Sequence, residues 1–370
     1  MQPLQRKGLC LSFIQAFPLQ GRVSKYFMPT LRVVTGSYEH NLLCVALTFG
    51  GKSEVFTPVF HFAPHTQSIR CLAWSKRILA SGANDEWIRL YDLQHRKELG
   101  TLMHQQGQIL TLEFFGSKWL FSGAGDGKIV LWRTSDWEIL AELKAHKAPV
   151  LDTSVHHTGK IMLSIGEDRK LVLWNLMTAR KASIRKLGEA PVQVSFVPPT
   201  NESRSDYIIG YDRKVVLYTA NGKASSEWAF PSRIHKCGWA TIKEELYLIV
   251  STDNGKLSFI HPSSSDIAFE LQGHATRVKD FSVWQHYLAS VSTDGNIVVW
   301  DLETREQLGV YNAGDRLNCV ALIPDELEKL RPKRELEPEP EEEAESEPEE
   351  VVAPPPKKKK KAKVLVTREK

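Results

Sequence analysis

The sequence predicts an all-β protein, a seven-bladed β-propeller over residues 28–330 that is followed by a charged C-terminal tail. Three observations support this fold class. Short apolar and β-branched runs alternate with Gly, Asp and Asn turns, and no segment keeps the helical period of about 3.6 residues. Four stretches of the chain align with one another without gaps. The two ends of the predicted propeller together supply one further set of strands.

The four aligned stretches are "LASGANDEWIRLYDL", "LFSGAGDGKIVLWRT", "MLSIGEDRKLVLWNL" and "LASVSTDGNIVVWDL". Weaker copies end at Tyr218 and near Ile260, so six repeats are visible. Their last aromatic or apolar positions follow one another at spacings of 41, 42, 44, 42 and 40 residues. A period of about 40–45 residues with a Gly-His start and a Trp-Asp finish is the WD40 signature, in which each repeat supplies one four-stranded blade.

The ends of this region predict a seventh blade. Residues 33–46 match the second and third strands of a blade, with Glu39 in the turn where the other copies carry Asp. Residues 56–62 supply an outer strand, and residues 315–323 form an inner strand that no blade follows. Joining the C-terminal strand to the three N-terminal strands closes the ring and completes every blade.

Both ends of the chain are expected to be disordered. Residues 1–27 are basic and contain no Asp or Glu. This composition resembles a transit peptide, with an extension that precedes a second start at Met28 as the favoured alternative. Residues 331–370 form the tail, in which residues 335–350 contain 10 Glu and a Lys-rich run follows. So little apolar content cannot offset the entropy of ordering the chain.

Charge and cysteine usage limit the classes of function. The formal net charge is +4, but basic and acidic side chains balance between residues 28 and 330. A neutral body does not predict a domain that coats nucleic acid. The five cysteines are far apart and form no C-x-x-C pair, which argues against a thiolate metal site and favours a reducing compartment. The longest apolar run, residues 42–49, is shorter than the roughly 18 residues that span a bilayer, so we expect a soluble intracellular protein.

Ser, His and Asp recur in the repeats and raise the question of a hydrolase triad. Because the set occurs four times, each time with an aromatic residue six positions after the Asp, we interpret it as a hydrogen-bonded structural tetrad and not as a catalytic site. The four tetrads are His65, Ser81, Asp85 and Tyr91; His104, Ser122, Asp126 and Trp132; His146, Ser164, Asp168 and Trp174; and His274, Ser290, Asp294 and Trp300.

Other site chemistry finds no support in the sequence. There is no P-loop and no H-E-x-x-H motif. The pair His156 and His157 lies in a turn without carboxylate or thiolate ligands nearby in sequence, and we interpret it as a solvated turn. We therefore expect no enzyme activity, metal or cofactor.

The repeats resemble one subfamily in detail, the PAK-interacting WD40 proteins. The stretches that carry the resemblance are "TGSYEHNLLCVAL", "LSIGEDRKLVLWNLMTARKASIRKL" and "GHATRVKDF". This family is named for a kinase partner and includes nucleolar factors for assembly of the large ribosomal subunit. The resemblance implies a non-enzymatic scaffold in the nucleolus that docks on pre-ribosomal particles through their assembly-factor proteins and ribosomal RNA, without a membrane or a small-molecule substrate.

Two groups of basic residues are candidate functional sites. The first is a nuclear-localisation segment in the tail, with a purely solubilising charge run as the alternative; it consists of Lys357, Lys358, Lys359, Lys360, Lys361 and Lys363. The second is a basic rim on the third to sixth repeats that would receive an acidic peptide or RNA phosphates, with ordinary solvated side chains as the alternative. The rim consists of Lys147, Arg169, Arg213, Arg233 and Arg277.

Two further functions compete with the scaffold. Binding and inhibition of a p21-activated-type kinase follows from the family name. Substrate reception for a ubiquitin ligase is favoured by a W-D-x-R motif at the end of a blade, whereas the corresponding positions read "WRTS", "WNLM" and "WDLE". The sequence therefore leaves ribosome assembly as the prediction and kinase regulation as its alternative.

Overall fold

The computed structural model describes residues 30–50, 53–199, 205–264 and 266–325, which form 28 strands in seven four-stranded antiparallel sheets. The predicted seven-bladed β-propeller is confirmed. This described part of the chain contains no helix, and so none that is long and apolar enough to cross a membrane. Residues 1–27 and the tail 331–370, with its lysines, lie outside the described residues, so their disorder stays a prediction.

The blades follow one another in chain order, and the strands of each blade run from the innermost to the outermost. Blade 1 contains β28 (Leu317–Pro324), β1 (Thr30–Ser37), β2 (Leu42–Gly50) and β3 (Ser53–Phe62). Blade 2 contains β4 (Ile69–Ser75), β5 (Ile78–Ala83), β6 (Ile88–Asp92) and β7 (Lys97–Leu102). Blade 3 contains β8 (Ile109–Phe115), β9 (Trp119–Ala124), β10 (Lys128–Arg133) and β11 (Ile139–Lys144). Blade 4 contains β12 (Val150–Val155), β13 (Ile161–Gly166), β14 (Lys170–Asn175) and β15 (Arg180–Lys186).

The remaining three blades complete the ring, so the six sequence repeats are blades 2 to 7. Blade 5 contains β16 (Pro191–Phe196), β17 (Tyr207–Tyr211), β18 (Lys214–Tyr218) and β19 (Ala224–Ala229). Blade 6 contains β20 (Ile234–Ile242), β21 (Glu245–Thr252), β22 (Lys256–Ile260) and β23 (Ile267–Gln272). Blade 7 contains β24 (Val278–Trp284), β25 (Tyr287–Ser292), β26 (Asn296–Asp301) and β27 (Glu306–Asn312).

Blade 1 is the seam that the sequence predicts. Strand β1 pairs antiparallel with β2 on one side and with the C-terminal strand β28 on the other, so Val34 faces both Cys44 and Ala321. Glu39 occupies the turn after β1 and accepts hydrogen bonds from the backbone amide and the guanidinium of Arg316, at 3.1 and 2.8 Å. The ring is therefore closed by backbone pairing between the two ends of the folded region.

Neighbouring blades pack through apolar side chains on both faces of each sheet. One buried cluster joins Leu31 and Val33 of blade 1 to Val291 and Val299 of blade 7. The contact is close at the end of the second strand, where a Cβ added to Gly82 would lie 2.6 Å from the Ile109 side chain of the next blade. The glycine in the recurring Ser-Gly pair thus permits the blades to approach.

The inner strands line a central channel, and each leaves one edge without a strand partner. Side chains of one inner strand satisfy backbone groups of the next. The carboxyl group of Glu113 accepts from the Val155 amide at 3.0 Å, and the carboxyl group of Asp152 accepts from the Val194 amide at 3.1 Å. Because an unpaired backbone amide is costly in a buried position, these contacts stabilise the junctions between blades.

Similar contacts recur around the ring. Each contact joins one residue of an inner strand to one residue of the next inner strand. The further contacts are Gln193 with the Cys237 amide, Asp280 with the Val320 amide, Ser282 with the Leu322 amide, Asn318 with the Ile69 carbonyl, and the Cys71 thiol with the Ile109 carbonyl. Asp280 also pairs with Lys236 of the preceding blade. Six junctions are thus bridged from a side chain to a backbone group, and the junction between blades 6 and 7 is bridged by the Lys236–Asp280 ion pair.

Asp280 offers a test of these junctions, because it holds blade 7 to the seam. Replacing Asp280 by Ala leaves the Val320 amide without its acceptor and Lys236 without its counter-ion. We expect the free energy of unfolding to fall by about 2–4 kcal/mol. Chemical denaturation followed by circular dichroism measures this change. Asp136→Ala, which removes an exposed carboxylate paired with Arg133, is the control and should change little; equal losses in both variants would contradict the role of the junction.

Glu113 makes the stability of the ring depend on pH. Burial, and to a lesser extent the nearby Asp152, raise the pKa of the Glu113 carboxyl from its usual 4.5 to about 8. Between these two values the unfolded chain ionises Glu113 while the folded chain keeps it protonated, so unfolding becomes more favourable as pH rises. Glu113→Gln stays neutral in both states.

We therefore expect the thermal unfolding midpoint of Glu113→Gln to rise relative to that of the unchanged protein as pH increases from 5 to 8. Differential scanning fluorimetry at each pH measures the difference. Asp152, whose pKa is raised to about 6 by burial, acts in the same direction in both proteins and cancels in the comparison. A difference that stays constant over this range would refute the protonated state of Glu113.

Candidate functional site

Antiparallel blades place their loops on two opposite faces of the ring. The connections from an outer strand into the next inner strand share one face with the turns between second and third strands. We call this the tetrad face, because it holds the His and Asp positions of the repeats. The turns between first and second strands, and those between third and fourth strands, lie on the opposite face.

Blade 4 contains a complete tetrad. Nδ1 of His146 lies 2.8 Å from the carboxylate of Asp168, and Nε2 lies 3.0 Å from the hydroxyl of Ser164. The indole N–H of Trp174 donates to the same hydroxyl at 3.0 Å. The donors and acceptors match if Nδ1 carries the imidazole proton, because Nε2 then accepts from the serine.

Blade 2 repeats this arrangement with tyrosine as the aromatic member. His65 lies 3.0 Å from Asp85 through Nδ1 and 2.7 Å from the Ser81 hydroxyl through Nε2. The hydroxyl of Tyr91 lies 3.2 Å from that of Ser81. Asp85 also accepts from the backbone amide of Thr66 at 3.0 Å, so the carboxylate closes the loop before the inner strand.

In blade 7 the tetrad is present but looser. Nε2 of His274 lies 2.8 Å from the Ser290 hydroxyl, to which Trp300 donates at 3.2 Å. Nδ1 of His274 is 3.6 Å from the nearest Asp294 oxygen, which is too long for a hydrogen bond. The carboxylate of Asp294 instead accepts from the backbone amides of Ala275 and Asn296. It supports the turn more than it orients the imidazole.

The predicted tetrad of blade 3 is wrong in one member, because Gln105 and not His104 contacts Ser122. The Ser122 hydroxyl donates to Oε1 of Gln105, and Nε2 of Gln105 donates to the Ser122 and Lys128 carbonyls at 3.1 and 3.3 Å. The Trp132 indole completes this chain at 2.9 Å. Asp126 accepts from the amides of Gln106 and Lys128 and contacts no imidazole.

His104 points outward instead. Its side chain is 38% exposed and lies 3.0 Å from Glu142, whereas the His65 and His146 side chains are 0% exposed. A signal in the sequence could have revealed the substitution. The buried histidines stand four residues before the first residue of the inner strand, and Gln105, not His104, has that spacing to Ile109.

The chemistry of the tetrads supports a structural role. Burial lowers the pKa of His65, His146 and His274, so these imidazoles are neutral near pH 7. The serine hydroxyls are fully buried and hydrogen-bonded on both sides, so they cannot reach a substrate. Blades 5 and 6 carry Leu187 and Phe230 at the position four residues before the inner strand, and both are buried.

The channel opens on the tetrad face, where the inner strands begin. The opening has a volume of about 340 Å³ and is lined by Arg70, Lys236 and Lys279 together with the carboxylates of Asp152 and Asp280. Both carboxylates bind backbone amides of the next inner strand. The basic side chains at the opening were not identified from the sequence, although each stands in the first three residues of an inner strand.

The predicted basic rim lies on the same face, on blades 4 to 7. Its five members are exposed and lie in loops of the tetrad face: Lys147, Arg169, Arg213, Arg233 and Arg277. Asp212 offsets part of this charge, since its carboxylate lies 2.7 Å from Arg233 and 3.9 Å from Arg213. Blades 2 and 3 carry Thr66 and Gln106 in the corresponding loops. The five basic side chains of the rim are therefore confined to one side of the face, although Arg70 of blade 2 and Arg316 of blade 1 also lie on it.

The imidazole of His235 lies close to the positive charges of this part of the face, and they affect its pKa. Its Nε2 lies 2.6 Å from a carboxylate oxygen of Asp253 at the start of blade 6. Burial lowers the pKa of His235, and the charges of Lys279 and Arg277 lower it further, against the raising effect of Asp253. The part of the tetrad face on blades 4 to 7 is thus rich in positive charge and lies next to the channel opening. Such a surface is suited to acidic groups of a partner.

The expectation of a solvated turn is correct for only one histidine of the pair in blade 4, because His157 is exposed whereas His156 is buried. The rings of His156 and His157 lie 4.0 Å apart, and Nδ1 of His156 contacts the Thr158 hydroxyl at 2.8 Å. Among the residues that the structure describes, no group of three or more His, Cys, Asp or Glu side chains is placed to hold a metal ion.

Comparison with known proteins identifies related propellers. The family described as "WD domain, G-beta repeat" matches residues 56–92, 137–175 and 265–301, the segments that hold the three histidine-containing tetrads. The chain is 36% identical to "Protein MAK11" of Saccharomyces cerevisiae over 83% of its length and 86% of that protein. It is 30% identical to "p21-activated protein kinase-interacting protein 1" of Homo sapiens (83% and 82%), and 25% identical to "Shk1 kinase-binding protein 15" of Schizosaccharomyces pombe (80% and 85%).

The assignment of Gln105 predicts different effects for two neighbouring residues. Gln105→Ala removes the partner of the Ser122 hydroxyl and strands buried polar groups, so we expect a loss of about 1–3 kcal/mol in the free energy of unfolding. His104→Ala removes an exposed contact with Glu142 and should cost less than about 0.5 kcal/mol. Urea denaturation of both variants measures the two losses. A larger loss for His104→Ala would restore the tetrad expected from the sequence.

Proposed function

The chain belongs to the family of WD40 proteins that includes MAK11 and p21-activated protein kinase-interacting protein 1, and from this premise we propose that it is a non-enzymatic scaffold in ribosome biogenesis. It acts in the nucleolus, in assembly and rRNA processing of the large ribosomal subunit, by docking on the pre-ribosomal particle and its assembly-factor proteins, with rRNA as a further contact. The resemblance of the repeats to nucleolar members of this family motivates the proposal.

The basic rim is the observation that carries this proposal. It is confined to blades 4 to 7, so one sector of the ring can meet an acidic surface while blades 1 to 3 remain available for other contacts. Arg169 and Arg277 extend from exposed loops of the tetrad face, and the strands on either side of each loop hold it in place. Such a preorganised basic surface favours docking on acidic protein segments and phosphates.

The tail supports a nuclear location. Lys357, Lys358, Lys359, Lys360, Lys361 and Lys363 have the composition of a nuclear-localisation segment. They lie outside the described residues, so the argument rests on composition.

A second candidate function is negative regulation of a p21-activated-type protein kinase by direct binding. The observation that favours it is the names of the relatives, two of which are a "p21-activated protein kinase-interacting protein 1" and a "Shk1 kinase-binding protein 15". Gradient sedimentation of the tagged protein separates the two functions. Migration with large-subunit precursors favours the assembly function, and a light fraction enriched in a kinase favours regulation.

Reversal of charge on the rim tests the scaffold function. We expect the triple variant Arg169→Glu, Arg213→Glu, Arg277→Glu to shift most of the protein from the pre-ribosomal fractions to the top of the gradient, because the acidic partner is then repelled. The matched control is Arg96→Glu, Lys160→Glu, Arg180→Glu, which makes the same change in net charge at exposed positions away from the tetrad face. Equal sedimentation of both variants with the particle would exclude the rim as the docking surface.

A further inference from the structure

A large apolar groove lies on the face opposite the tetrads, between blades 2 and 3. Its volume is about 1130 Å³, and its walls contain the partly buried side chains of Trp74, Ile78, Phe114 and Trp119. These residues stand in or beside the turns between first and second strands of the two blades. The groove ends beside Pro324, the last residue of β28. We call it the blade 2–3 groove.

The groove is preformed, because its two walls are fixed to each other. The Ser75 hydroxyl in the turn of blade 2 donates to the Gly116 carbonyl in the turn of blade 3 at 2.6 Å. Within blade 3, the Thr134 hydroxyl donates to the Ser117 carbonyl at 2.6 Å. A ligand would therefore enter an existing cavity without a cost for ordering its walls.

The side chains at the edge of the groove carry only positive charge. Lys76, Arg77, Lys118 and Arg133 line it, and the described lining contains no Asp or Glu. Arg133 is paired with Asp136 and Glu138, which do not line the groove, and Arg77 lies 3.6 Å from the buried carboxylate of Asp92. Lys76 and Lys118 are exposed, and no ion pair of either residue is found within the described part of the chain. Their charges are therefore available to an incoming ligand.

We propose that the blade 2–3 groove binds a short acidic peptide segment of a partner protein, with one large apolar side chain inserted into its apolar lining. Lys76 and Lys118 bind the Asp and Glu residues that flank this anchor. Large aromatic anchors in apolar pockets, surrounded by charge-complementary rims, are a common form of peptide recognition. This goes beyond the proposed function, because it concerns the opposite face and requires no ribosomal particle.

An acidic peptide fits the groove better than a nucleic acid does. Binding of single-stranded RNA needs successive aromatic rings that present their faces to the bases and a basic track that follows the backbone over several nucleotides. In this groove the aromatic side chains are partly buried in the walls of one cavity, and the two free lysines stand in neighbouring turns. The groove therefore offers apolar walls for an anchor and two flanking charges, and its described lining contains no continuous basic track along which a nucleic-acid backbone could run.

Fluorescence anisotropy with the purified full chain tests the proposal. The probe is a fluorescein-labelled octapeptide that carries one tryptophan flanked on both sides by glutamates. We expect a dissociation constant on the order of 10–100 μM. A peptide with alanine in place of the tryptophan, or with glutamines in place of the glutamates, should bind at least about tenfold more weakly, because each lacks one of the two recognised features.

The matched variants locate the site. Lys76→Glu, Lys118→Glu should weaken binding of the octapeptide at least about tenfold, while Lys160→Glu, Lys243→Glu should change it less than about twofold. Both double variants reverse two exposed lysines in turns between first and second strands, and Lys243 shares the positive φ of Lys76, at 48° and 52°. Equal thermal unfolding midpoints of the two variants show that any difference arises from binding.

Three results would overturn the proposal. The first is the absence of binding up to about 1 mM of the octapeptide. The second is equal weakening by both double variants, which would indicate a non-specific charge effect. The third is tighter binding of a fluorescein-labelled oligouridylate that is lost in Lys76→Glu, Lys118→Glu, which would assign the groove to RNA. None of these results involves the ribosomal particle. A negative result here therefore does not bear on the proposed scaffold function, which gradient sedimentation tests separately.

Discussion

The rest of the structure depends on how the inner strands satisfy their unpaired edges around the channel. Each inner strand has a strand partner on one side only, and at six of the seven junctions a side chain of the preceding blade binds one of its free backbone groups. Glu113, Asp152, Gln193 and Asp280 each reach an amide of the next inner strand, 40 to 44 residues further along the chain. The repeat length and the closure of the ring are therefore linked, since one residue in each repeat stabilises its neighbour.

Because the inner strands hold the ring together, the loops on its two faces can differ in composition. The tetrads lie farther from the channel, where they fix the loops that lead into blades 2, 4 and 7, and the basic rim extends from loops on the same face. On the opposite face, the hydrogen bond between Ser75 and Gly116 holds two turns in place over an apolar groove. The two faces therefore differ in chemistry, with basic loops on one and an apolar cavity on the other, and the two docking surfaces that we propose lie on opposite sides of the ring.

The tetrads show which residues of a repeated site the sequence pattern predicts and which it does not. Alignment on the Asp and the aromatic residue located Ser81, Ser122, Ser164 and Ser290 correctly, because these residues lie on regular strands with fixed spacing. The histidine comes from a loop of variable length, and in blade 3 the loop places Gln105 in the buried position while His104 meets solvent. The spacing of a residue from the start of the next inner strand therefore predicts which residue contacts the serine better than the type of that residue does.

By itself, the sequence determined the seven-bladed propeller, its seam between β28 and β1, and the basic loops on blades 4 to 7. These features follow from local alternation, turn residues and a period of about 40–45 residues, all of which are properties of the linear chain. Only the tertiary structure decided which side chains meet across blades: the bridging of Glu113 to Val155, the partial neutralisation of the rim by Asp212, and the groove between Trp74 and Trp119. Such contacts depend on how the blades and their loops pack against one another, and no pattern within one repeat specifies them.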